Sequence, residues 1–127
     1  MTSVMRTLLL AAVPAIVALQ GGCPIGEIAC TDLAAFSVTA TIEDEAGAAV
    51  DDATVVFSAD GGDEKPCDHL ADGQYACGTE VEGSIVVTAR KALFIDAESS
   101  AVDVAKDADG CHVVGEAVTL TLVAQGG

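Results

Sequence analysis

Sulfur and carboxylate carry the chemistry available to this chain. It has five cysteines (Cys23, Cys30, Cys67, Cys77 and Cys111), two histidines (His69 and His112) and 20 acidic residues. Cysteines can bridge to one another, ligate zinc, act as nucleophiles or accept a lipid. Zinc is disfavoured because no C-x₂-C pair occurs and the intervals are wide and unequal. No C-x-x-C redox pair, P-loop or H-E-x-x-H is present, and Ser84 lacks a G-x-S-x-G setting. Neither histidine stands in a recognisable nucleophile context. Carboxylates are plentiful, but abundance does not set an acid opposite a base across a cleft. The chain is therefore not expected to be an enzyme, and no cofactor is implied.

One carboxylate run imitates a calcium loop. In Ala105-Lys106-Asp107-Ala108-Asp109-Gly110, with Glu116 beyond, the residues Asp107, Asp109, Gly110 and Glu116 match the third, fifth, sixth and twelfth positions of an EF-hand. Ala105 stands where the first aspartate belongs, His112 takes an apolar position, and the flanks read as strands rather than helices. An acidic turn accounts for the run; a weak calcium site using Asp103, Asp107 and Asp109 is the alternative.

The cysteine spacing can be counted. Between Cys67 and Cys77, Asp72-Gly73 marks a turn. A three-residue loop of Ala71, Asp72 and Gly73, with Gly73 left-handed, sets Leu70 opposite Gln74 and Cys67 opposite Cys77, within disulfide reach. A two-residue loop would misalign the pair by one.

At the N-terminus, Arg6 precedes an almost wholly apolar run, 8–19, interrupted by Pro14. That run is about 12 residues, too short for a spanning helix of about 20 and suited to a secretory signal. It ends in Leu19-Gln20-Gly21-Gly22-Cys23, which resembles the lipobox of bacterial lipoproteins. There the cysteine becomes the first mature residue and carries a diacylglyceryl thioether. The usual leucine stands three residues before the cysteine; here it stands four before, with Gln20 in its place. Lipidation at Cys23 is the expectation, and a freely secreted protein the alternative. With Cys23 acylated, four cysteines remain for two disulfides, Cys67–Cys77 and then Cys30–Cys111. The implied location is the cell envelope, outer membrane or cell surface, held through the lipid on Cys23.

The elements that must position these residues read as strands. Residues 36–42 (FSVTATI) alternate with apolar side chains at even positions. Residues 53–59 (ATVVFSA), the Cys67/Cys77 hairpin, 83–89 (GSIVVTA), a weaker run over 93–104 and a closing strand over 113–123 follow, separated by turn signals. The expectation is all-β: a single antiparallel β-sandwich of about seven strands. The signal peptide would occupy 1–22, a tether 23–35 and the domain 36–125. The formal net charge of −15 excludes nucleic acid and anionic lipid surfaces as electrostatic partners. With three Phe, one Tyr and no Trp, the chain offers little for an aromatic binding platform.

Val38-x-Ala40-x-Ile42-x-Asp44-x-x-Gly47-x-x-Val50-x-x-Ala53-x-Val55 resembles the opening of carboxypeptidase regulatory-like domains. Asp72-Gly73-Gln74-Tyr75, and Glu82-Gly83 leading into Ile85-Val86-Val87-Thr88-Ala89, match that family's middle. The likeness runs over residues 36–123. Ala40 replaces a common glycine, and the usual glycine-aromatic pair is absent from Arg90-Lys91-Ala92-Leu93-Phe94. The resemblance implies a transthyretin-like (Ig-like) sandwich and no chemistry of its own. The functional expectation is an envelope-anchored, non-catalytic structural or interaction module with an envelope protein as partner. The alternative is an envelope protein that binds calcium or a small cationic ligand.

Overall fold

The structure, a computed structural model, describes residue 30 and residues 33–126. The signal peptide, Cys23 and most of the tether lie outside them. Ten strands form among the described residues: β1 (Phe36–Asp44), β2 (Thr54–Ala59), β3 (Lys65–Pro66), β4 (Asp68–His69), β5 (Gln74–Thr79), β6 (Gly83–Arg90), β7 (Phe94–Ile95), β8 (Ala97–Glu98), β9 (Val102–Val104) and β10 (Glu116–Ala124). They make two five-stranded sheets and no helix. Sheet A runs β7-β10-β1-β5-β4; sheet B runs β8-β6-β2-β3, with β9 also on β6.

Period-two patterning builds the core. Val38, Ala40 and Ile42 of β1, Tyr75 and Cys77 of β5, and Leu120 and Leu122 of β10 are buried. They share one cluster with Val55 and Phe57 of β2, Ile85, Val87 and Ala89 of β6, and Val104 of β9. Alternation along each strand sends these side chains to one face and their neighbours to the other.

The count of about seven strands is low because two of the expected segments break up. The 93–104 run becomes β7, β8 and β9. Leu93 takes a positive φ of 72°, and Asp96 separates a strand of sheet A from a strand of sheet B. Cys67 does the same between β3 and β4: its N–H still donates to Val55 O in sheet B (2.8 Å), while the next residue pairs with β5 in sheet A. Arg90 braces both crossings. Its guanidinium meets Glu64 through two N–H groups (3.1 and 2.8 Å) and Asp96 through Nε (3.3 Å).

The expectation of a purely antiparallel sandwich is also corrected. β10 pairs with β1 in parallel, Glu116 opposite Val38 through Leu122 opposite Asp44. An antiparallel neighbour would have to begin where β1 ends. Instead the 105–114 hairpin delivers the chain to the start of β1. Lys106 bridges Val113, Val114 N donates to Ala105 O, and Gly115 lies so close that an added Cβ would come within 3.0 Å of Phe36 O.

Candidate functional site

Two clusters hold the histidines, one at each end of the β1–β5 pairing. The first grows from the Asp72-Gly73 turn. His69 opposes Tyr75 and Asp68 opposes Ala76, so the same register sets Cys67 opposite Cys77 and Leu70 opposite Gln74. Cys67 and Cys77 form a disulfide across Cα atoms 4.4 Å apart. Asp72 and Gly73 both take positive φ, and Gln74 N donates to Ala71 O. The turn is thus tightened around two left-handed residues, with Ala71 as the extra residue on its strand. Glycine is required at 73: besides its φ of 76°, a Cβ there would sit 2.7 Å from Ile42 O.

Around this turn Asp51 accepts hydrogen bonds from Gly73 N (2.6 Å) and pairs with His69 Nε2 (2.8 Å). These contacts, His69 first and then Gly73, hold the Asp51 carboxyl below its ordinary range. His69 stacks edge-on against Tyr75, ring centroids 5.1 Å apart. Tyr75 is buried; its hydroxyl donates to Val50 O (2.8 Å) and accepts from Ala53 N (3.2 Å). Burial pushes the phenol up, so it stays a donor. The His69 ring meets no hydroxyl or thiol among the described residues, and its one hydrogen bond is to Asp51.

The second cluster centres on Glu80, whose own φ is 56°. Its carboxylate accepts from Ala35 N (3.0 Å) and Val113 N (2.9 Å) and pairs with His112 Nδ1. Glu80 N returns a bond to Ala35 O. The His112 contact, then the two backbone donors, lowers the Glu80 carboxyl to about 2. This one side chain joins the lead-in to β1 to the hairpin before β10, where the parallel pairing begins. Cys111 beside it, and Cys30, are each disulfide-bonded.

The calcium candidates do not assemble. Asp103 is exposed on β9, opposite Ser84. Asp107 closes its own turn: its N–H donates to His112 O, its carbonyl accepts from Gly110 N, and its carboxylate accepts from Cys111 N (3.3 Å). Asp109 lies at the exposed tip, and Glu116 is in the β1–β10 ladder. Among the described residues no three His, Cys, Asp or Glu side chains are grouped to hold a metal ion, and no cavity or cleft is present. Sequence reasoning missed Asp51 and Glu80 as the histidines' partners. They lie 18 and 32 residues away from them, beyond the reach of any local motif.

Most of the scarce positive charge is consumed internally. Arg90 is held as above, Lys91 binds Asp52 (2.6 Å) and lies 5.6 Å over the Phe94 ring, and Lys106 reaches Glu82 (3.8 Å). A scan against protein-family models finds no match, and neither does a comparison with curated proteins.

Proposed function

We propose that this chain is a cell-envelope lipoprotein. It would be anchored through Cys23 and carry one disulfide-stapled, transthyretin-like sandwich of the carboxypeptidase regulatory kind. The sandwich would serve as a non-catalytic structural or interaction module for an envelope partner. The observation that carries the reading is the state of the cysteines. Cys30, Cys67, Cys77 and Cys111 are disulfide-bonded, as suits an oxidising compartment. The fifth cysteine, Cys23, follows an apolar export-type run after Gln20-Gly21-Gly22. The Asp44 turn supports the family likeness: Gly47 has a φ of 82°, and the Asp44 carboxylate accepts from Ala46 N and Ala48 N. Tyr75 of the D-G-x-Y motif supports it too, tying its hairpin to the loop before β2.

The test is an intact mass of the protein extracted from membranes of cells expressing the full chain, with and without reductant. The reading expects a chain beginning at Cys23, with added acyl mass and a gain of four protons on reduction (two disulfides). An unlipidated chain would overturn the anchor and leave a secreted domain.

A further inference from the structure

Ala-Asp-Gly occurs three times, at 59–61, 71–73 and 108–110. Each sets an aspartate carboxyl beside the N–H of the next residue, and glycine, with no Cβ, leaves that N–H open to attack on the carboxyl. With the local sequence the same at all three, tertiary contacts decide which can react.

Two of them sit in turns of one kind. Asp60 and Gly61 have φ of 52° and 74°, and Gly62 N donates to Ala59 O (2.9 Å). Asp72 and Gly73 have φ of 53° and 76°, and Gln74 N donates to Ala71 O (2.9 Å). Positive φ at both central residues makes each a type I′ turn, whose own hydrogen bond leaves the glycine N–H unused. At 73 other groups take it. Gly73 N donates to Asp51 Oδ1 (2.6 Å), Gly73 O accepts from Ile42 N (2.7 Å), and an added Cβ would sit 2.7 Å from Ile42 O. At 110, Gly110 N donates to Asp107 O (2.9 Å). Gly61 N donates to no group among the described residues, and a Cβ built on Gly61 meets nothing within 4 Å. The Asp60 carboxyl beside it is fixed in place. Its Oδ1 accepts from Ser84 N (2.9 Å), Asp60 N donates to Ser84 O (2.8 Å), and a Cβ at Gly83 would collide with both carboxyl oxygens.

We propose that Asp60–Gly61 is a site of self-modification, where the aspartyl link becomes an isoaspartyl one through a succinimide ring. Gly61 N bonds to Asp60 Cγ. The Cγ–Oδ2 bond breaks, and Oδ2 leaves as water with the amide proton and one proton from the carboxyl or solvent. Ser84 N–H faces Oδ1, where the negative charge of the tetrahedral intermediate gathers. Water then opens the ring. Attack at Cγ restores aspartate. Attack at the Asp60 backbone carbonyl carbon leaves an isoaspartyl link, with one more carbon in the chain and the carboxylate directly on Cα. The turn after β2 and its tie to β6 do not survive that insertion unchanged. The reactants are the chain and water, so the proposal is independent of export and of Cys23.

The test incubates the folded full chain near neutral pH in oxygen-isotope-labelled water. Peptides are then mapped with a protease that cleaves at aspartyl but not isoaspartyl residues. Label and isoaspartate are expected at 60, at least about tenfold faster than at 72, where a hydrogen bond to a carboxylate must first break, and faster than at 109. Asp51→Ala frees Gly73 N and should raise the rate at 72 while core amides stay protected. In the denatured, reduced chain the three sites should react at similar rates. Isoaspartate forming at 72 or 109 as fast as at 60 in the folded chain would overturn the proposal, and so would none at 60. An unchanged preference for 60 in the denatured chain, or a folded Asp51→Ala chain with 72 as slow as before, would remove the glycine N–H contact as the selector and overturn it too. The comparison of 60 with 72 lies within one chain and needs no variant.

Discussion

The two histidine clusters use the same chemistry at different range. At the turn, Asp51 joins a histidine to a backbone N–H inside one hairpin's surroundings, and a disulfide across 10 residues closes the unit. At the other end, Glu80 joins a histidine to two backbone N–H groups, 33 and 45 residues distant. The first cluster shapes a local element. The second decides which strands meet, because it fixes the lead-in to β1 beside the hairpin that launches β10. A carboxylate with three donors thus does the work of a turn motif where no contiguous sequence could.

Substitutions at the two ends test that division. The largest effect is expected from opening the turn's staple: the Cys67→Ala, Cys77→Ala double variant should lose about 3 kcal/mol in denaturant unfolding. Gly73→Ala comes next, at about 2 kcal/mol or more, from the left-handed backbone and the contact with Ile42 O. Tyr75→Phe leaves Val50 O and Ala53 N without their partner and should cost about 1–2 kcal/mol. All three should leave the β1–β10 amides protected until global unfolding.

Glu80→Gln should behave differently. The folded Glu80 pKa of about 2 lies below its ordinary 4.5. Its contribution is therefore complete above pH 4.5 and lost as pH falls through 2. The variant should be modestly less stable at neutral pH and should show a flatter acid limb in melting temperature between those values. It should also free the Ala35 and Val113 amides to exchange before the turn does. An acid limb identical to that of the parent chain would show that Glu80 does not hold this junction. The smallest effect is expected of Lys91→Ala, whose partner Asp52 is mostly exposed, at under about 1 kcal/mol and weaker still in high salt.

The same contrast explains what could be read before the structure. The alternation of 36–42 and of 118–122 announces two strands with one face in the core. The Cys67–Cys77 register follows by counting from one turn. Gly47 and Gly73 stand at positive φ where turn signals place them. The parallel partnership of β1 and β10 has no such signature, since it rests on Glu80, Gly115 and a hairpin. The crossings at Cys67 and Asp96 are single residues inside runs that read as continuous. The calcium overlay over 105–116 matched in spacing, but spacing along the chain is not proximity when the last ligand position falls within a ladder.

Parallel neighbours also give the domain a mechanical character. Among the described residues the first and last strands run side by side in the same direction, so the start of β1 and the end of β10 lie at opposite ends of their shared ladder. A load applied between Phe36 and Ala124 runs along the strands and strains the whole ladder from Val38 to Asp44 at once. An antiparallel pair in that place would open like a zipper, one rung at a time; this one has to be sheared.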